Sequence, residues 1–221
     1  MLRSTLSIGL AWAAATPWGA CAATAERTTF DCSQAQGEVE QLVCSDARLS
    51  ALDQQLAAAY QSALKNASGS MAGQLRTEQR GWVKGRNDCW KARAGTTWIT
   101  ATWTVDSVRG CVEAQYRLRT AELQAVWRLR PPKTVAYTCE LQPANEVVLS
   151  FFDTDPATLR LERGDRSATL WRVGEPEPAR AAGTSLYEGR NVSAELAPPA
   201  LRLTTLNTTT GQTEALQCLA R

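Results

Sequence analysis

The stretch VVLSFFDTDPATLRLERGDRSATLWR, residues 147–172, predicts three short β-strands joined by two turns. Turn-forming residues at 153–156 interrupt the first apolar run, and those at 163–165 interrupt the second. Between these breaks apolar and polar side chains alternate, which is typical of a strand with one buried face. The stretch therefore predicts an antiparallel meander with one face in contact with water.

Such a meander buries little apolar surface by itself, so we expect it to belong to a larger closed sheet. Cys139 and Cys218 flank it. If they pair, the bond spans most of the C-terminal half and removes unfolded-state entropy worth about 4 kcal/mol. Residues 137–221 are thus predicted to form a small disulfide-closed antiparallel β-barrel.

The C-terminal half resembles the membrane-bound or periplasmic C-type lysozyme inhibitors (MliC/PliC-like), which have a compact antiparallel β-barrel. The resemblance covers residues 137–218. It rests on Tyr137, Thr138, Cys139, Phe151, Phe152, Asp153, the run 157–161, Leu170, Tyr187, Glu188, Gly189 and Cys218. It implies that the partner is a lysozyme, of the C type.

Inhibitors of that family act through two loops, one with a Ser-Gly-x-x-Tyr motif and one with Trp-x-Lys-Gly. The first motif would end here at Tyr187, with Gly183 in place of the serine and Thr184 in place of the glycine. The hydroxyl groups of Thr184 and Ser185 are the candidate substitutes.

The second loop would lie at 192–200, which contains no Trp, Lys or Gly. Lysozyme cleaves its substrate between two carboxylic side chains, so an inhibitory loop needs donors that can meet them. Arg180 and Arg190 flank the first loop and are the candidates for the missing cation, although both also fit ordinary solvated surface charges.

The N-terminal half, residues 26–130, has helical periodicity and predicts three helices. The first begins at Ser45, a plausible N-cap; the second covers about 72–91 and the third about 106–130. Two prolines then end the third helix and open a linker at 131–136. The predicted fold class is α+β in separate domains, with a disulfide-stapled three-helix domain before the barrel.

Six cysteines follow residue 30, which indicates an oxidising compartment. The short connection between the first two helices brings Cys44, Cys89 and Cys111 to one end, with Cys32 nearby. All three pairings of these four remain open; the shortest loops favour Cys32 with Cys44 and Cys89 with Cys111. The tightly spaced ligand pairs of a zinc site are missing.

The helical half resembles the LprI-type lysozyme inhibitors over residues 30–123. The residues that carry the resemblance are Phe30, Asp31, Cys32, the run 40–44, Leu49, Leu52, Asp53, Tyr60, the run 79–82, Arg86, Asp88, Cys89, Cys111, Tyr116 and Arg119.

Four side chains of this half are candidates for a binding surface: Trp82, Arg86, Trp98 and Trp103. Trp82 and Arg86 share a helical face with Gln79, and for them packing between helices with a snorkelled Arg stem is the favoured alternative. Trp98 and Trp103 lie in a stretch rich in β-formers and Trp, a composition enriched at interfaces. Core packing is the alternative for them too.

Residues 1–25 have an early positive charge, an apolar run and small residues, as in a secretory signal. Cleavage before Glu26 would release a soluble protein to the periplasm or the medium. A lipoprotein-like box that ends at Cys21 is the alternative, and only then would the chain be anchored to a membrane.

The chain contains no histidine, which excludes His-dependent catalysis and every His-containing metal site. The net charge of +2 is scattered along the sequence and does not indicate a nucleic-acid partner. We expect no cofactor, no metal and no enzymatic activity. The predicted function is lysozyme inhibition by occlusion of the cleft; the alternative is an envelope module that binds another protein or a cell-wall fragment.

Overall fold

The computed structural model describes residues 28–94, 97–98, 104–174 and 183–221. It contains a helical unit that also has two 3-10 turns and two short strands, followed by a closed antiparallel β-barrel. The predicted α+β fold class is therefore confirmed. No helix in the described ranges is both long enough and apolar enough to span a membrane.

The described part of the helical unit holds four α-helices, one more than the three predicted. They are α1 (Glu38–Ser45), α2 (Ala47–Asn66), α3 (Ser70–Asn87) and α4 (Val108–Val126). The extra helix, α1, has only eight residues and buries Val39 and Val43 against the others. A 3-10 turn, Asp88–Ala94, replaces the predicted last turn of α3.

The N-cap of α2 is Asp46, and the prediction of Ser45 is wrong. The Asp46 carboxylate accepts a hydrogen bond from the Leu49 N–H at 3.1 Å. Ser45 instead ends α1, where its hydroxyl donates to the Leu42 carbonyl oxygen at 3.2 Å. Because α1 and α2 are separated by one residue, Asp46 also ends α1, where its backbone N–H donates to the Leu42 carbonyl oxygen at 3.0 Å.

Two disulfide bonds close the helical unit, Cys32 with Cys44 and Cys89 with Cys111. These are the pairs that the shortest-loop argument favoured. The first attaches the N-terminal segment to α1, and the second attaches the 3-10 turn to the start of α4. Between Cys89 and Cys111 a two-stranded hairpin is formed by β1 (Thr97–Trp98) and β2 (Thr104–Val105).

Eight antiparallel strands form the barrel. They are β3 (Lys133–Cys139), β4 (Glu146–Phe152), β5 (Thr158–Arg163), β6 (Arg166–Arg172), β7 (Ser185–Gly189), β8 (Val192–Ala197), β9 (Ala200–Leu206) and β10 (Thr213–Ala220). The predicted meander is β4, β5 and β6, and both of its turns lie where the sequence indicated. β3 begins inside the stretch assigned to a linker.

The barrel closes where its first and last strands pair. Cys139 of β3 lies opposite Cys218 of β10, and a disulfide bond joins them. The interior is filled by alternate side chains of every strand, among them Leu149, Leu159 and Leu203. An eight-stranded barrel is just wide enough for side chains to fill it in this way.

Helix α4 is buried on two faces, one in each unit. Cys111, Val112, Tyr116 and Leu123 face the helical core. A second set is buried but lies outside that core: Ala114, Leu118, Ala121 and Ala125. Their spacing of four, three and four residues puts them on one stripe, and α4 packs against β5 and β6.

The predicted wet face of the meander is therefore partly covered, by α4. On β4 and β5 the outward-facing Ser150, Phe152 and Thr158 are buried, unlike the water-exposed face expected from sequence. Arg117 of α4 forms an ion pair with Asp155 in the turn between β4 and β5, with Nε 3.1 Å from Oδ2. Farther along, Arg128 approaches Glu162 of β5 at 3.7 Å.

The two ends of the barrel carry different connections. The end formed by the turns 140–145, 164–165, 190–191 and 207–212 is called the mouth. The opposite end, called the base, has the turn 153–157, the connection between β6 and β7, and the turn 198–199. α4 runs from the base, at Arg117, toward the mouth, at Arg128. The start of α4 and the hairpin therefore lie on the base side.

Candidate functional site

The interior of the helical unit contains a chain of polar contacts centred on Arg86. Its Nη1 donates to the Tyr116 hydroxyl at 2.6 Å, and that hydroxyl donates to Asp53 Oδ1 at 2.9 Å. The other carboxylate oxygen accepts from the backbone N–H and the hydroxyl of Thr29 at 2.6 and 2.7 Å. The contacts connect α3, α4, α2 and the N-terminal segment.

Three aromatic rings surround the guanidinium group of Arg86. Its Cζ lies 5.5 Å from the centroid of Tyr116, 5.6 Å from Trp82 and 6.0 Å from Phe30. Trp82 also packs edge-on against Tyr116, with centroids 5.2 Å apart. Burial raises the pKa of the Tyr116 hydroxyl, against the opposing effect of the positive charge on Arg86. The hydroxyl therefore stays protonated and able to donate to Asp53.

These positions correct the prediction of Trp82 and Arg86 as surface candidates. Arg86 is only 4% exposed, and Trp82 packs against the helical core. An arginine in this position can bind nothing from solution, because its donors already have partners inside the protein. The packing alternative is the one that the structure supports, so this constellation holds the fold together.

A more exposed aromatic residue lies just beyond α3. Trp90, in the 3-10 turn, is 50% exposed, and the Lys91 ammonium group lies 5.8 Å from its ring centroid. The hairpin follows, where the backbone of Trp98 pairs with Thr104. Trp103 lies outside the described residues. Trp90 and the hairpin lie in one segment of the chain, residues 90–110, which is called the excursion. The Cys89–Cys111 disulfide bond joins its two ends.

The candidate inhibitory residues of the barrel are not brought together. Gly183 and Thr184 end the connection between β6 and β7 at the base, and Ser185 begins β7. Arg190 follows β7 at the mouth, so five strand residues, about 17 Å, separate it from Thr184. Arg180 lies outside the described residues, as do Cys21 and the whole segment 1–25.

The two predicted loops are largely strand. Tyr187 lies in β7, is 8% exposed and contacts Phe151 edge-on with centroids 6.0 Å apart. Burial raises the pKa of its hydroxyl, while Arg172 has a smaller lowering effect. Tyr187 is therefore a core residue and not an exposed inhibitory side chain. The stretch 192–200 forms β8, the turn 198–199 and the first residue of β9.

The mouth of the barrel contains a groove of about 640 Å³ that the sequence interpretation did not predict. Leu161, Ala168 and Leu203 line it from the barrel interior, and Arg163, Arg166 and Arg190 line it nearer the rim. The signal was present in the sequence. If the alternation of Leu159 and Leu161 is continued by one step, Arg163 also points inward.

Comparisons with known proteins agree with the resemblance found in the helical half. Residues 31–123 match the family model "Lysozyme inhibitor LprI". This range, called the LprI region, extends from the N-terminal segment to the last full turn of α4. Proteins named "Lipoprotein LprI" from Mycobacterium tuberculosis and Mycobacterium bovis are 30% identical to the chain over 140 residues.

The match spans 62% of this chain and 63% of those relatives. No solved structure matches the chain. The LprI region ends before β3 begins, so the resemblance of the barrel to C-type lysozyme inhibitors stays a prediction. The aromatic residues around Arg86 and its partners Asp53 and Tyr116 all lie within or next to the LprI region.

Proposed function

We propose that this protein inhibits lysozyme in the bacterial envelope by occluding the enzyme's cleft, and that the helical unit makes the main contact. The observation that carries the proposal is the match of residues 31–123 to the LprI family model, whose description names a lysozyme inhibitor. C-type lysozymes are the first expected targets. The protein needs only to bind tightly, since occlusion requires no reaction on the inhibitor.

The excursion between Cys89 and Cys111 is the proposed contact surface. Trp90 is half exposed in the free protein, so a partner can cover its indole ring. Tryptophan side chains that a partner buries are among those that contribute most to binding at interfaces. The Cys89–Cys111 disulfide bond holds Trp90 close to the start of α4, so this side chain loses less entropy on binding. Trp98 and Trp103 are the further candidates within the same excursion.

Substitution of the tryptophans in the full chain tests this surface. Trp90→Ala and Trp98→Ala should each weaken inhibition of a C-type lysozyme by about thirtyfold, as expected for the loss of about 2 kcal/mol at an interface hot spot. Met71→Ala is the matched control, because Met71 is 53% exposed and lies at the opposite end of α3, about 25 Å away. It should inhibit like the parent.

The measurement is a lysozyme activity titration against C-, G- and I-type enzymes. If the parent chain inhibits none of them at micromolar concentration, the proposed function is wrong. If it inhibits and both tryptophan variants match the parent, the function stands and the contact surface is elsewhere.

Export to the periplasm or beyond belongs to the same proposal. The names of the mycobacterial relatives include the word lipoprotein, and six of the seven cysteines of this chain are used in disulfide bonds. The remaining one, Cys21, is the proposed acylation site if the chain is anchored. Mass spectrometry of the mature protein distinguishes an acylated Cys21 from an N-terminus at Glu26.

The alternative, a module that binds another envelope protein or a cell-wall fragment, is favoured by one feature of the barrel. Tyr187 is enclosed in the core and the two expected inhibitory loops are mostly strand. A contribution of the barrel to lysozyme binding through the loops of C-type inhibitors is therefore not part of the proposal.

A further inference from the structure

Two walls of the barrel interior, β5 with β6 and β9 with β10, change from apolar to polar as they approach the mouth. Leu161 pairs with Ala168, and the next inward pair is Arg163 with Arg166. On the opposite wall Leu203 pairs with Leu216, and the next inward pair is Thr205 with Glu214. Charged side chains that continue an inward-facing row are unusual in a small barrel, whose interior is normally filled by apolar residues.

These residues line the groove at the mouth, whose volume of about 640 Å³ is within the usual range for small-ligand sites. Three turns enclose it: 164–165, 190–191 and 207–212. An open groove of this size admits a compact molecule or the end of a chain. Mouths of β-barrels are among the usual locations of ligand sites.

The charge in the groove is mainly positive. Arg163 approaches Glu214 at 3.6 Å. Arg166 and Arg190 are exposed, and in the described part of the chain neither forms an ion pair with a carboxylate. Asp165 lies in the turn beside Arg166 but does not line the groove. Two guanidinium groups at one rim therefore remain available to an anion, and arginine binds a carboxylate through two parallel hydrogen bonds.

The other lining groups match a sugar. Asn191, Asn207 and Gln212 provide amide donors and acceptors, and Thr208 and Thr209 provide hydroxyl groups at the rim. Amides and hydroxyls pair with sugar hydroxyl groups, which both donate and accept. The apolar floor, with Leu161 and Leu203, offers contact to the C–H face of a sugar ring. Neither feature is needed to bind a simple inorganic anion.

We propose that the mouth of the barrel binds a small saccharide that carries a carboxylate, with Arg166 and Arg190 as the carboxylate-binding residues. This site is separate from the proposed lysozyme contact, since Trp90 and the hairpin, together called the Trp90 surface, lie on the base side of the molecule. The proposal does not rest on lysozyme inhibition.

Calorimetric titration of the full chain with two matched disaccharides tests the proposal. One is N-acetylglucosamine linked to N-acetylmuramic acid, which carries a carboxylate; the other is N,N′-diacetylchitobiose, which does not. The parent should bind the charged disaccharide at least about tenfold more tightly, because a charge-assisted hydrogen bond contributes more than a neutral one. Higher salt should weaken this preference, since the site is open to solvent.

The variant Arg166→Ala, Arg190→Ala should lose this preference and bind both disaccharides alike. Arg202→Ala is the matched control, because Arg202 is an exposed arginine on the outer surface of β9. It should bind like the parent. Arg166, Arg190 and Arg202 are all exposed, so their substitution should leave the unfolding temperature unchanged. An unchanged unfolding temperature shows that the variants are folded.

Three results would overturn the proposal. They are equal affinity of the parent for the two disaccharides, equal loss of binding in the Arg202→Ala control, and displacement of the charged disaccharide by inorganic phosphate at an equal concentration. The last result would identify a general anion patch. No lysozyme is present in these titrations, so their outcome is independent of the inhibition assay.

Discussion

Arg86 is the residue on which the interior of the helical unit depends most. Its guanidinium group is the only cation in the chain of contacts from Asn87 through Tyr116 to Asp53, as far as the described residues extend. Asn87 in turn donates to Glu40 at 3.2 Å. Burial alone would raise the pKa of Glu40, but hydrogen bonds from Asn87 and from backbone N–H groups lower it overall. The carboxylate of α1 is therefore kept ionised next to α3.

Arg86→Ala should lower the free energy of unfolding by about 3–5 kcal/mol, because it leaves a buried carboxylate without its positive counterpart. Urea denaturation of the full chain measures the change. Arg76→Ala, on the exposed side of the same helix, is the control and should change stability by about 0.5 kcal/mol or less. A loss below about 1 kcal/mol for Arg86→Ala would contradict the central role of this residue.

The buried tyrosines of the barrel predict a loss of stability at high pH. Burial raises the pKa of Tyr187 and of Tyr137 above the unfolded value of about 10. The unfolded chain therefore releases these protons first, so the stabilisation is complete below about pH 10 and is lost as pH rises through the folded values.

Urea denaturation at about pH 8 and about pH 11 should reveal the loss, and Tyr187→Phe should make it smaller because phenylalanine cannot ionise. A stability that is the same at both pH values in the parent would refute this account.

Residue patterns predicted the interior of the barrel better than its mouth. Alternation alone predicts that Leu159 and Leu161 share the buried face of their strand, and both lie in the barrel interior. Arg163 obeys the same alternation, but charged side chains are expected outside, so the sequence interpretation treated it as part of a turn. Only the register with β6 shows that Arg163 and Arg166 form one inward-facing pair.

Among the elements, α2 begins through a cap that the sequence interpretation missed by one residue. Asp46 both caps α2 and accepts a hydrogen bond from Arg109 Nε at 2.7 Å. The Arg109 hydrogen bond, followed by that of the Leu49 N–H, keeps the pKa of the Asp46 carboxyl below its usual value. The lowered pKa of Asp46 stabilises the folded state at pH values above the unfolded pKa of the carboxyl. This stabilisation is lost as pH falls through the folded pKa.

Asp46→Ala should therefore lower the free energy of unfolding by about 1 kcal/mol or slightly more, the usual cost of losing an N-cap. Ser45→Ala is the neighbouring control and should have little effect, since its hydroxyl only bonds back to the Leu42 carbonyl oxygen. Thermal denaturation of the two variants at neutral pH compares them. Equal effects, or a larger effect for Ser45→Ala, would restore Ser45 as the cap.

Element boundaries were predicted where the turn chemistry was strong. The turn at 153–156 and the Gly164 turn fixed the ends of β4, β5 and β6. α1 was missed because eight residues with two buried valines fit a short strand as well as a helix. The third predicted helix extended too far, since α4 ends at Val126 and Arg128 adopts a left-handed conformation, with φ 47°, before the two prolines are reached.

At the scale of the whole molecule, α4 belongs to both units. Its two buried faces contact the helical core and the barrel wall, and ion pairs to the barrel lie near both ends of the contact. Sequence alone could not reveal this, because a stripe of alanines is also typical of tight packing between helices. The consequence is a fixed spacing between the Trp90 surface and the mouth groove.

Reduction should affect the barrel before the helical unit. Cys139 and Cys218 close a loop with a sequence separation of 79, and the bond removes about 4 kcal/mol of unfolded-state entropy. The helical unit has two shorter disulfide loops around its own core. Hydrogen exchange in graded reductant should show earlier loss of protection in β3 and β10 than in α2 and α4.

The double variant Cys139→Ala, Cys218→Ala should reproduce the same order without reductant. Cys32→Ala, Cys44→Ala is the comparison, since it removes a loop of only 12 residues in sequence separation. Earlier loss of protection in the helices of the parent would contradict the prediction.

The seam between β3 and β10 also determines when the barrel can form during synthesis. β3 is made first, but its partner ends at Ala220, so every strand made in between leaves β3 with an open edge. An unpaired edge is a template for a strand from another chain. A second copy at the same stage of synthesis has the same unpaired β3 edge. Once its synthesis is complete, it also has a β10 that can pair with that edge. β10 can therefore pair with β3 of its own chain and close the barrel, or pair with β3 of a neighbouring chain in a domain swap. A high local concentration of nascent chains favours the swap.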